Sequence, residues 1–256
     1  MGRGIRNLFL AISLAGCVSR PDTTATPFSI ERMATTPELE GIVSSWLAAY
    51  TEQAGHANLQ LDALSSQEIL PSLESGVVEA AFVAQEVPEG WFATPLVREP
   101  IVMIANSQVT IVSLEVQDLS DLFSGQVKSW EDLAGNDLPV QLYIPFPGNV
   151  FRERFAQQIL AESPFDPSAR LGSTPEEILE LVRSDPGGIG FIPMEELEEN
   201  VNLVAVAGVL PSDEPLQDSE YPVWIDLLVL SHQEPAGYLR KFIVWLQGTY
   251  LPEMGD

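Results

Sequence analysis

Residues 173–193 read STPEEILELVRSDPGGIGFIP. Ser173-Thr174-Pro175-Glu176-Glu177 is a helix start. It has a hydroxyl at the cap, a proline in the first turn where no backbone N–H is needed, and acids near the positive end of the helix dipole. Gly187-Gly188-Ile189-Gly190-Phe191-Ile192 is a glycine turn running into a strand. A helix followed directly by a strand is the unit of α/β layering.

The same alternation runs outward from Phe28. Thr35-Thr36-Pro37-Glu38 predicts a second capped helix start, with Leu39, Ile42, Val43, Trp46, Leu47 and Tyr50 along the helix. Asn58 to Leu64 alternates as a strand does, and Ser65-Ser66-Gln67-Glu68 opens another helix through a capping box. Ala80 to Ala84 is a short apolar strand. Ile101 to Ala105 is a continuous apolar run, expected of a strand covered on both faces, and Asn106-Ser107 breaks it. Ser113 to Phe123 is amphipathic. Val140 to Ile144 reads as a strand, Phe151 to Leu160 as a helix behind Gly148-Asn149, Val223 to Leu230 as a long strand, and Tyr238 to Leu246 as a closing helix.

The first residues are of another kind. Arg3 and Arg6 precede an apolar run from Leu8 to Gly16 broken only by Ser13. That run is far shorter than the ~20 residues a spanning helix needs, and the pattern is that of a signal peptide. It ends Leu14-Ala15-Gly16-Cys17, similar to the lipobox of bacterial lipoproteins. Residues 1–17 are therefore expected to be a lipoprotein signal peptide ending at a lipidated Cys17, whose two acyl chains would hold the protein on a bilayer. Residues 18–27, polar and rich in Pro and Thr, are expected to be a disordered tether.

Composition excludes several classes. Twelve basic residues face 37 acidic ones among 256, a formal net charge of −25. No basic stripe is available to neutralise phosphates, so nucleic acid is not an expected partner. The chain has 1 cysteine and 2 histidines, His56 and His232, which rules out an internal disulfide and leaves too few ligands for a structural zinc. Gly-x-Ser-x-Gly, Gly-x-x-x-x-Gly-Lys and His-Glu-x-x-His are all absent, and no cofactor or enzymatic activity is expected. The paired acids Glu195-Glu196 and Glu198-Glu199 read as a solvated helix face.

Three stretches together resemble the substrate-binding proteins of phosphate-type ABC importers. Leu119 to Leu133 (LSDLFSGQVKSWEDL) is similar to the family's aromatic-Ser-Gly turn followed by a Trp on a small helix. Ser173 to Pro193 is similar to its helix, Asp-Pro-Gly turn and Ile-Gly-Tyr-Val-Pro-type strand. Leu96 to Asn106 (LVREPIVMIAN) is similar to its first crossover strand, and Tyr221-Pro222 leads into the return strand. The resemblance implies an α/β, two-lobed type 2 periplasmic-binding-protein fold with a discontinuous first lobe and two crossover strands. Residues 28–105 plus 222–256 would form lobe 1 and residues 106–221 lobe 2. It also implies a small ligand, phosphate by default, in the interlobe cleft, and a membrane permease as partner.

In that family, cleft loops at helix N-termini bind an oxyanion through backbone N–H groups and hydroxyls. Here the corresponding candidates are Thr35, Thr36, Ser65, Ser66 and Asn149, with Ser173-Thr174 as a further loop. Each would equally serve as plain helix capping. One loop departs from the family. Anchored on Arg152-Glu153-Arg154-Phe155, the family's Ser-Gly-Thr falls on Asn149, Val150 and Phe151, and its arginine on Pro145. Arg98 and Arg152 are the candidate replacement cations, with solvated surface the alternative for both. Phe146 and Phe151 would suit either a more apolar ligand or the core. Two functions therefore stand: a solute-binding lipoprotein feeding an importer, and an interaction or sensory lipoprotein on the same fold with a degenerate anion site.

Overall fold

A computed structural model of the chain describes residues 30–250, apart from 56, 85–86, 162 and 212–219. The expected signal peptide, Cys17 and tether lie outside the described residues.

The first lobe begins with β1 (Glu31–Thr35), α1 (Glu40–Ala54), β2 (Leu59–Ala63), α2 (Ser66–Glu74) and β3 (Ala80–Val83). The strands pair in parallel as β2-β1-β3, as helical crossovers require. A single 14-residue strand, β4 (Phe92–Ala105), then leaves the lobe. The second lobe contains β5 (Ser113–Leu114), α3 (Val116–Phe123), β6 (Gln141–Pro145), α4 (Val150–Phe155), β7 (Arg170–Gly172), α5 (Pro175–Ser184), β8 (Gly188–Pro193) and β9 (Asn202–Val206). The chain returns through β10 (Trp224–Ser231) and closes with α6 (Gly237–Trp245).

The strand β4 belongs to both lobes. Its first part, Phe92–Pro100, lies antiparallel to β10, and β10 lies antiparallel to β3. From Ile101 to Ala105 it pairs instead with β8 and β9. The change of partners therefore falls between Pro100 and Ile101. The reason is in the side chains: Ile101 to Ala105 are fully buried, as the core of the second sheet demands, whereas Phe92 is half exposed. The return segment runs alongside. Ile101 N–H donates to the Val223 carbonyl at 2.9 Å, and the Tyr221 hydroxyl to the Ile101 carbonyl at 2.9 Å. Two crossovers bonded side by side make the junction of the lobes.

Each lobe packs helices on its sheet. α1 buries Ile42, Val43, Trp46 and Tyr50 at helical spacing and stops at Gly55, whose φ of 77° only glycine adopts without strain. In the second lobe Phe155 stacks on Phe191 with ring centroids 4.3 Å apart, and Phe123 meets Phe155 edge-on at 4.7 Å. The helix expected over residues 151–160 is α4 continued by a π-helical turn at Ala156–Leu160.

Candidate functional site

Four turns from the two lobes converge on one gap. Pro37 and Glu38, Ser65 and Ser66, Gly148 and Asn149, and Ser173 and Thr174 line a cleft of about 850 Å³. Such a volume is in the range of small-molecule sites. A smaller recess of about 290 Å³ adjoins it and shares Ser66 and Gly148 with it.

The candidate residues differ in what their side chains do. Ser65 forms the expected capping box, its N–H donating to Glu68 Oε2 at 3.1 Å, and Ser66 lines both cavities. Asn149 caps α4 by accepting from Phe151 N–H (3.0 Å) and Arg152 N–H (3.2 Å). Thr174 caps α5, accepting from Glu177 N–H at 3.2 Å.

Thr35 needs a correction. It ends β1 inside the sheet, fully buried, and its hydroxyl donates to the Phe82 carbonyl at 3.0 Å. It lines neither cavity. The period of a strand explains the split: neighbouring side chains point to opposite sides, so Thr35 and Thr36 cannot serve one site together. Thr36 occupies the cap position of a 3-10 turn at Pro37–Leu39, yet its hydroxyl makes no capping bond. It lines the recess, is 5% exposed, and has no hydrogen-bond partner. A buried hydroxyl left unpaired costs about 1–3 kcal/mol, which a ligand atom would recover.

The arginines also sort differently from expectation. Arg98 pairs with Asp226 at 3.0 Å and lies over the Trp224 ring, away from the cleft. Arg152 donates to the Pro145 carbonyl at 2.7 Å and covers Phe165. Neither lines a cavity. Arg154 does: it borders the recess with Thr36, Ser66 and Gln157, and forms no ion pair among the described residues. The sequence offered no signal for it, because facing the recess depends on how α4 is rotated against the first lobe.

Acids are the other surprise. Glu38 reaches from the first lobe toward the Val150 N–H of the second at 3.4 Å, a long bond. Glu195 and Glu196, expected on a solvated face, instead turn toward α1. Ser45 donates to Glu195, and Glu196 lines the cleft. Burial pushes both carboxyls above the ordinary range. The Ser45 bond opposes the shift at Glu195, while Glu176 and Glu198 add to it at Glu196. Of the two phenylalanines, Phe146 is 48% exposed at the cleft and Phe151 is buried behind it.

A two-lobed fold, paired crossovers and turns meeting in one gap match a known group. A family model described as a PBP superfamily domain covers residues 22–249. The chain belongs to that family. Among curated proteins, the phosphate-binding protein PstS of Bacillus subtilis is 22% identical over 218 residues, covering 82% of this chain and 72% of that protein. Solved structures agree in fold. A putative phosphate ABC transporter substrate-binding protein with bound phosphate from Clostridium perfringens has a TM-score of 0.76 at 16% identity, covering 88% of this chain and 95% of its own. An ABC-type phosphate transport receptor from Vibrio cholerae has a TM-score of 0.71 at 16% identity, covering 88% and 96%. The Corynebacterium glutamicum OxyR C206 mutant shares the fold too, with a TM-score of 0.62 at 14% identity over 90% of this chain and 67% of that one. The fold alone therefore does not fix a function.

Proposed function

We propose that the chain is the extracytoplasmic solute-binding lipoprotein of an ABC importer, anchored to a bilayer through Cys17, with a permease as its partner. A small solute with a phosphate-like oxyanion head is captured between the lobes, and their closure buries it. The observation that carries this reading is the recess itself: a buried Thr36 hydroxyl without a partner among the described residues faces the same space as Ser66 and Arg154, which forms no ion pair among them. Hydroxyls and a guanidinium are what an oxyanion requires. Arg154 supplies, from one turn inside α4, the charge that the family places at the position of Pro145. Membership of the PBP superfamily and the phosphate bound by similar proteins support the oxyanion head.

A second reading has its own support. The Glu38 carboxylate already reaches the Val150 N–H, where an anion would otherwise sit, so the cleft is partly satisfied without a ligand. A sensory or interaction lipoprotein with a degenerate site would look like this. Thermal unfolding against phosphate, sulfate, molybdate and organic solutes separates the two. A solute present at 100-fold over its dissociation constant adds ~2.7 kcal/mol. A shift with an oxyanion-bearing solute supports transport; a panel with no shift at all favours the second reading.

A further inference from the structure

We propose that the solute carries an organic arm with an ammonium group attached to its oxyanion head, so that the head enters the recess and the arm lies in the wider cleft. This rests on the reading of the recess as the anion site.

The two cavities have opposite chemistry. The recess presents donors from Thr36, Ser66, Gln157 and Arg154; Glu153, the carboxylate in its lining, accepts from Gly148 N–H at 3.2 Å, and Glu38 reaches its Val150 N–H from the cleft at 3.4 Å. The cleft presents Glu38, Glu40, Glu176 and Glu196, and no lysine, arginine or histidine among the described residues that line it. None of these four acids forms an ion pair among the described residues. An acidic surface is ordinary in a chain of net charge −25. Carboxylates facing one gap from both lobes are a different matter: Glu40 and Glu176 are exposed beside it, but Glu38 and Glu196 are half-buried, where water screens a charge less.

The placing of Glu196 is built into the fold. It follows β8 in the second lobe and crosses to α1 in the first, where a Cβ on Gly41 would come within 2.6 Å of its Oε1. Helix α1 thus carries a glycine, at some cost in helix stability, where that carboxylate arrives. Burial holds the Glu196 carboxyl above its usual range, and the charge of Glu176, at the start of α5, adds to the shift. A cation between them would relieve that repulsion. Beside them the exposed Phe146 ring and Pro147 offer an apolar surface, suited to a methylene or methyl-ammonium body.

Inorganic phosphate satisfies only half of this arrangement. It fills the recess but leaves about 850 Å³ of acid-lined space that repels it. A phosphate monoester or phosphonate bearing an amine satisfies both ends.

Calorimetric titration of the whole chain with inorganic phosphate, choline, phosphocholine and 2-aminoethylphosphonate tests this. At least one of the last two should bind tenfold or more tighter than phosphate or choline. Arg154→Gln should weaken every phosphate-bearing probe. Glu176→Gln with Glu196→Gln should weaken only the ammonium-bearing ones, by roughly fivefold to tenfold, as expected of partly screened ion pairs. Phosphate binding as tightly as the zwitterions, or zwitterion binding indifferent to the glutamate changes, overturns the ammonium arm and leaves the solute-binding reading standing. If no solute of the wider panel shifts the melt or narrows the small-angle scattering envelope, the solute-binding reading falls first. Melting of each ligand-free variant within a degree or two of the parent establishes that the variants are folded.

Discussion

The indole nitrogen of Trp130 donates to the carbonyl oxygen of Gly187 at 3.0 Å. Trp130 is fully buried, and a Cβ on Gly187 would collide with the Pro139 carbonyl. The bond joins the two stretches of sequence most characteristic of the family, far apart in the chain. The same oxygen accepts from the Gln141 N–H at 3.1 Å, so Trp130→Phe removes one of its two bonds and should cost about 0.5–1.5 kcal/mol. Urea denaturation would measure it. A loss below ~0.5 kcal/mol would show that the ring alone, without its N–H, holds this corner.

Gly125 belongs to the aromatic-Ser-Gly turn and has φ of 78°. A Cβ there would also overlap the carboxylate of Asp166, which accepts from Lys128 and from Ser168 N–H at 2.8 Å. Gly125→Ala should therefore destabilise by at least about 1–2 kcal/mol from backbone strain. Denaturant unfolding of the variant is the check, and an unchanged midpoint would refute the argument.

Thr35 and Thr36 are adjacent but opposite in consequence. Thr35→Val breaks the bond to Phe82 and should cost about 1 kcal/mol. Thr36→Val removes a buried hydroxyl that has no partner and should raise ligand-free stability by about 1 kcal/mol while abolishing oxyanion binding. Paired melts and titrations would test both. A destabilising Thr36→Val would mean that the hydroxyl already has a partner in the ligand-free protein.

Acid should tighten the contact of the second lobe with α1. Burial raises the carboxyls of Glu195 and Glu196 above the ordinary glutamate value of 4.5. A raised group contributes stability that is complete below its unfolded value and is lost as pH rises through its folded one. Asp166 acts in the other direction. The Lys128 bond, then Ser168, holds it below 3.8, so its contribution is lost as pH falls through that lowered value. Stability should thus rise as pH falls from neutral through the raised glutamate values, then fall in stronger acid as Asp166 is protonated. Melting curves across that range should show the rise shrink in Glu195→Gln, and an identical profile in the variant would remove Glu195 from the account.

Much of the fold was legible in the chain because its signals are local. Ser65 with Glu68, Thr174 with Pro175, and Asn149 cap helices within three residues of themselves, and each does so in the structure. The run from Ile101 to Ala105 is buried on both faces as its composition required. What failed were readings that depend on direction. Thr35 was grouped with Thr36, although a strand turns them apart. A pair of acids such as Glu195 and Glu196 predicts a solvated face, since nothing in it says that α1 stands opposite.

The amino-acid order, then, determined the alternation of helices and strands, the capped starts and the family, because hydrogen-bond caps and hydrophobic periodicity act over a few residues. Only the folded chain decided which side chains share a cavity. Thr36 and Arg154 are more than a hundred residues apart, as are Gly41 and Glu196. Their meeting depends on the rotation of α4 and the path of two bonded crossovers, which are set by packing across the whole sheet rather than by any neighbouring residue.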